Sequence, residues 1–187
     1  MTGEQEIAHR SGKEEFYCPN HILLIGFMGS GKSTAARKLA RMYGKVSFDT
    51  DIGITRMTGK TIPQIFDEEG EAGFREHEYE YLKYLMGVDS AIVSCGGGII
   101  STKKCRDLLR MLGFVVFMKV DPDEAVSRIS SPESRPLLKD RQQMRELLEK
   151  RMPLYLETCD MTFDTTGLQP AQVARQLGGI LQERGLM

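Results

Sequence analysis

An α/β fold with a mostly parallel sheet, covered on both faces, follows from three observations in the sequence. Apolar runs of strand length alternate with stretches of helical character from His21 onward. Those runs are near-continuously apolar, the pattern of strands packed on both sides rather than one. The first run passes through a glycine-rich turn directly into a helix.

Taken in order, residues 1–16 are polar and charged and lack the apolar core of a signal peptide, and residues 1–20 read as a mobile tail. HILLIG (21–26) is the first strand, and residues 32–43 form a helix that Gly44 ends. VSFD (46–49) is the second strand and runs into Asp49-Thr50-Asp51. Helices are expected over 62–68 and 71–86, then a strand at 90–95 that ends in Gly96-Gly97-Gly98. A helix over 101–111 precedes the strand 114–120. Asp121-Pro122 then starts a helix over 122–129, as an N-cap followed by proline in the first turn. SSPESRPLLKD (130–140) has two prolines and little periodicity, and reads as a mobile flap or lid. A long helix over 139–158 is expected to kink or break at Pro153. A strand at 161–165 and a helix at 170–184 complete the chain. The stretch 21–187 is thus expected to be one domain, a size that suits 187 residues.

Composition narrows the function class. The chain is 41% hydrophobic and 27% charged, typical of a globular domain. Its 25 basic and 26 acidic side chains leave a formal net charge of −1, so nothing global points to nucleic acid or an anionic membrane. No uncharged run reaches transmembrane length. Cys18, Cys95, Cys105 and Cys159 are scattered, which suits a reducing cytoplasm and argues against a zinc site or disulfide framework. His9, His21 and His77 have no ligand spacing and read as ordinary surface or core side chains.

The most informative segment is GFMGSGKS, Gly26 to Ser33, which fits G-x-x-x-x-G-K-[ST] between a strand and a helix N-terminus. Such a turn leaves several backbone N–H groups unpaired and aimed one way, a ready seat for phosphate. Lys32 adds a full positive charge at the outer phosphates, and the Ser33 hydroxyl suits Mg²⁺. At the next strand end, Asp49 and Asp51 point the same way if strand geometry continues. One would support Mg²⁺ through water and the other would take a proton from an alcohol; the plainer reading is an Asp capping a following helix. Gly96–Gly98 read either as a flexible loop or as a close approach of backbone to a ligand at a strand's carboxyl end. Arg75 alone would read as an exposed partner of Glu78, and Arg135 and Arg151 are unremarkable alone. Together they offer the cationic clamp that a small anionic substrate needs beside a nucleotide. Cys95 reads as a small buried residue, because phosphoryl transfer needs no covalent nucleophile.

In order, these motifs resemble the shikimate kinases from about His21 to the C-terminus. The resemblance rests on GFMGSGKST, DTD, GEAGFRE, GGG, RPLL and KRMPLY. The P-loop alone is weak on substrate, but the set is specific. The resemblance implies a three-layer P-loop NTPase fold of the nucleoside-monophosphate-kinase type. Such a fold has a five-stranded parallel sheet flanked by helices, a substrate-binding segment and a lid. It implies ATP and Mg²⁺ as cofactors, shikimate as substrate, and a monomer in the cytoplasm. Carried over by position, Gly29, Ser30, Gly31, Lys32, Ser33 and Thr34 would wrap the phosphates, with Lys32 on the transferred group. Ser33 would ligate Mg²⁺, with Asp49 nearby through water. Asp51 would hold the substrate hydroxyls and serve as base. Arg75 and Arg151 would clamp the carboxylate, helped by the Gly96, Gly97 and Gly98 backbone. Arg135 would come down with the lid onto the phosphates, and Arg128 would lie against adenine. Two positions depart from the family pattern. Thr55 stands where an acidic residue is frequent, and Thr165-Thr166-Gly167 lacks a common second adenine-side arginine. Another small-molecule P-loop kinase, gluconate-kinase-like, or a non-catalytic nucleotide-binding relative are the alternatives.

Overall fold

The computed structural model describes residues 20–128 and 141–187. Apart from Asn20, the expected tail lies outside these residues, as do the expected flap and Arg135.

Five strands form one parallel sheet in the order β2-β3-β1-β4-β5. They are β1 (His21–Ile25), β2 (Val46–Asp49), β3 (Ala91–Ser94), β4 (Gly113–Lys119) and β5 (Met161–Asp164). Each lies within a residue of its expected bounds. Register aligns Leu23 with Val93 on one side and with Val115 on the other. Alternation along β1 divides the core between two layers. Ile22 and Leu24 pack with Leu39 of α1 (Lys32–Tyr43) and Leu177 of α7 (Pro170–Glu183). Leu23 and Ile25 pack with Leu82 of α3 (Ile62–Leu85), Leu109 of α4 (Lys103–Leu112) and Tyr155 of α6 (Arg141–Thr158). That makes three layers, with β1 fully buried at the centre. Among the described residues no helix is long and apolar enough to cross a membrane.

Two local outcomes differ from expectation. A helix absent from the sequence reading, α2 (Thr50–Thr58), starts immediately after β2. Asp49 is its N-cap and accepts from the N–H groups of Asp51 and Ile52, so the strand geometry does not continue through Asp51. The low apolar content of TDIGITRMT and its internal glycine hid this helix. Helix α6 runs through Pro153 rather than ending there. One missing N–H is tolerated in a helix that buries Met144, Leu148, Arg151 and Tyr155. The expected break between 68 and 71 does occur. Gly70 adopts φ 70°, ψ −173°, so α3 is two helical pieces joined at a glycine. A short helix, α5 (Pro122–Ser127), begins as expected, with Asp121 Oδ1 accepting from the N–H groups of Asp123 and Glu124.

Candidate active site

Parallel strands share one carboxyl end, and the sequence motifs sit there. The turn 26–31 follows β1, Asp49 ends β2, the three glycines follow β3 and α5 follows β4. A cavity of about 710 Å³ spans this edge. It is lined by the turn from Gly29 to Thr34, by Asp49 and Asp51, by Gly96 and Gly97, and by Arg128.

The turn has the geometry of an anion seat. Gly29 and Gly31 adopt φ 78° and 86°, and Gly31 caps α1 with no side-chain hydrogen bond. No acidic residue occupies the first turn of α1, so nothing competes with an anion for that helix end. Lys32 is folded inward, its Nζ donating to Phe27 O at 2.7 Å and to Ser30 Oγ at 3.3 Å. The ammonium therefore sits inside the loop, poised beside whatever that loop encloses. Ser33 Oγ lies 2.8 Å from Asp49 Oδ2 and 3.0 Å from Ser94 Oγ. This all-oxygen set beside the phosphate seat suits Mg²⁺, which keeps most of its waters and takes few protein ligands. Asp49 is thus the helix cap of the plainer reading, and its other oxygen is the partner of Ser33.

The glycine run is explained by space rather than by backbone freedom. None of Gly96, Gly97 and Gly98 has a positive φ. A Cβ on Gly96 would lie 2.5 Å from Asp51 Oδ1, one on Gly97 3.3 Å from Gly26 O, and one on Gly98 2.5 Å from Arg75 Nη1. Three functional segments therefore press on one loop, and a side chain on it would displace Asp51, Arg75 or the turn backbone at Gly26. The loop is also pinned. Gly96 N–H donates to Thr50 Oγ1 at 2.8 Å, so that amide is already occupied. The Gly97 carbonyl accepts from Tyr155 OH at 2.5 Å and from Arg151 Nη1 at 3.3 Å.

Arg75 and Arg151 come together behind this loop, 7% and 8% exposed. Arg75 donates from Nη1 to Glu78 Oε2 at 2.7 Å and from Nη2 to Glu71 Oε1 at 2.8 Å. The expected contact with Glu78 exists, but it is buried, with Glu78 fully enclosed. Burial pushes the Glu78 carboxyl up to about 7 against the pull of Arg75, with Asp51 adding to the rise and Arg151 opposing it. Tyr155 stacks on Phe117 with ring centroids 4.8 Å apart, which holds its hydroxyl at Gly97. Cys95 is buried, and burial raises its thiol far above the neutral range, as expected of an inert core residue.

At the far end of the cavity Arg128 is held by the Glu124 carboxylate, by Thr165 O at 2.9 Å and by Leu168 O at 3.3 Å. Glu124 also accepts from Gly167 N–H at 2.9 Å, tying α5 to the loop that lacks the second arginine. Glu124, Thr50 and Tyr155 were not singled out from sequence, and Glu78 was read only as an exposed partner of Arg75. Of the first three, Tyr155 carried a signal, one helical turn beyond Arg151 on the same face. Thr55 Oγ1 donates to Ile52 O within α2, so the first departure from the family pattern is absorbed locally.

Comparison with known proteins agrees with this geometry. A family model for shikimate kinase matches residues 28–182. The shikimate kinase of Halorhodospira halophila is 41% identical over 167 residues, covering 88% of this chain and 94% of that protein. Among solved structures, the shikimate kinase of Acinetobacter baumannii in complex with shikimate superposes with a TM-score of 0.84 at 34% identity, covering 92% of this chain and 98% of that one. The Aquifex aeolicus shikimate kinase superposes with a TM-score of 0.76 at 31% identity, covering 89% and 98%. With a match of this extent, the chain belongs to the shikimate kinase family.

Proposed function

We propose that the chain transfers the terminal phosphoryl group of ATP to the 3-hydroxyl of shikimate, giving ADP and shikimate 3-phosphate. The observation that carries this reading is the packing of Asp51 and Arg75 against one three-glycine loop, with Arg151 bonded to its middle carbonyl and the phosphate seat on its other side. A carboxylate and a reacting hydroxyl on one small ring need those groups at opposite ends of one pocket.

In this reading the turn 26–31 and the N-terminus of α1 hold the phosphates, and Lys32 leaves Phe27 O to meet the transferred group. Ser33 and Asp49 would hold Mg²⁺, which supplies charge neutralisation at the phosphates. Arg75 and Arg151 orient the ring by its carboxylate. Asp51 accepts the proton as the 3-hydroxyl oxygen attacks the outer phosphorus. The bond from that phosphorus to the bridging oxygen breaks, and its electron pair leaves with ADP. Chemistry of this kind needs positioning and charge stabilisation more than covalent help. Arg128 flanks the adenine, and Arg135 adds charge at the phosphates by the family resemblance. The same reading makes the protein a cytoplasmic monomer acting on small molecules, which the balanced charge and the free Cys95, Cys105 and Cys159 support. A coupled ADP-release assay with shikimate, quinate, gluconate and nucleoside monophosphates tests it. Turnover with shikimate at least ~10²-fold above the others is expected, since a site built to pair a carboxylate rejects an ill-matched ligand strongly. Equal turnover with gluconate would overturn the assignment.

A further inference from the structure

Glu78 is fully buried, and only half of its carboxylate is used. Oε2 accepts from Arg75, while Oε1 is buried without a hydrogen-bond partner, as is Arg75 Nε. Oε1 lies 3.4 Å from where a Cβ on Gly96 would stand, and that point is 2.5 Å from Asp51 Oδ1. The two carboxylates therefore face each other across one glycine. Other groups face Glu78 from every packed element. They are Arg75 and Glu71 on its own helix, Asp51 on α2, Arg151 and Tyr155 on α6, Cys95 after β3 and Cys105 on α4. Burial raises Tyr155, Cys95 and Cys105, so none of the three ionises near neutral pH. Glu71 is largely exposed. The charged groups left around this point are then buried Arg75, Arg151 and Glu78 and half-buried Asp51, two positive and two negative, a balanced set with little solvent on the Glu78 side.

A substrate carboxylate disturbs that balance. It brings a third negative charge to two positive ones, and it competes with Glu78 for Arg75. Desolvated like charges do not all stay ionised. We propose that binding of the substrate carboxylate is coupled to protonation of Glu78: the anion takes over Arg75, and Glu78 Oε1 takes one proton from solvent. Oε1 is the seat because it has no donor to lose. Glu78 is a positioning residue in this scheme, holding Arg75 in place while the pocket is empty and yielding it, neutralised, when the anion arrives. Ionisation of Glu78 already balanced near pH 7 in the free protein makes this exchange accessible under ordinary conditions.

The inference rests on the shikimate reading of the pocket, and one experiment separates the two. Titration calorimetry of the full chain with shikimate, at pH 7.5 to 8.5 in Hepes and in Tris, reads affinity and proton uptake together. Wild type is expected to take up about half a proton or more per shikimate and to bind roughly 3–10-fold more weakly per pH unit, the linkage for one proton gained. Glu78→Gln should lose both the uptake and the pH slope, which a purely structural role would leave in place. Binding with the same enthalpy in both buffers would overturn the coupling and spare the function. So would unchanged uptake in the glutamine variant. No binding of shikimate at all would overturn both. The wild-type measurement decides the coupling even if Glu78→Gln does not fold.

Discussion

Asp49 and Asp51 are two residues apart yet hold different posts, because a helix begins between them. Asp49 spends one oxygen on the amides of α2 and the other on Ser33, while Asp51 reaches toward Gly96. Asp51→Asn is therefore expected to cut turnover by ~10²-fold or more with ATP affinity unchanged, the usual scale for a positioned base. Steady-state rates and nucleotide titration check this, and turnover within a few-fold of wild type would sink it. The buried arginines make a second test. Losing one arginine from a desolvated carboxylate pair costs ~2–5 kcal/mol. Arg75→Ala or Arg151→Ala should then weaken shikimate binding by roughly 30-fold or more, at ~1.4 kcal/mol per tenfold. Lysine should rescue only in part, since it lacks the planar fork. Wild-type affinity in either alanine variant would make that arginine a structural residue only.

At the scale of elements, the loop 96–98 and the start of β1 show how segments are tied. The Cβ in Gly98→Ala would lie within 2.6 Å of both Arg75 terminal nitrogens, so the guanidinium must move. We expect a rise in KM for shikimate of about tenfold, from one displaced charge-assisted contact, with little change for ATP. An unchanged KM would show that Arg75 has slack. His21 ties β1 to two neighbours, with Nδ1 accepting from Ala91 N–H and Nε2 donating to Leu85 O. Burial lowers its pKa, with the bond donated to Leu85 O opposing. A lowered folded value favours the neutral ring, so its stabilisation is present above the unfolded value of ~6.5 and lost as pH falls through the folded one. The melting-temperature advantage of wild type over His21→Gln should shrink between pH 8 and pH 5. A constant difference across that range would show that the ring does not titrate there.

For the whole molecule, parallel topology sends every strand's carboxyl end to one edge, and the pieces of the cavity come from segments far apart in sequence. Ligands that bridge such segments stabilise the fold by mass action. At about 100 times its Kd a ligand adds ~2.7 kcal/mol. That corresponds to a rise of roughly 5–10 °C for a chain of this size. Shikimate alone should produce such a shift in a thermal melt, and gluconate at equal concentration none. Equal shifts would favour a different small-molecule kinase.

Fold class, strand positions, phosphate turn and family were legible in the sequence because each rests on local pattern: apolar runs, glycine spacing and motifs that keep their order. Helix α2 was not, since its stretch is weakly apolar and its formation depends on the Asp49 cap and on Gly53 admitting the Tyr81 ring. The state of Arg75 was not legible either. Its spacing to Glu78 looks the same on an exposed helix face, and only tertiary packing, against Gly96 and Gly98 among others, encloses the pair. Nor could local pattern say why three glycines occur in a row. Contacts from Asp51, Gly26 and Arg75 explain them, and those lie 45, 71 and 23 positions away from their respective glycines. Local pattern decides which segments form, because propensity and burial act over a few residues. Tertiary structure alone decides which charges are desolvated together, because that depends on what the other layers bring to the same place.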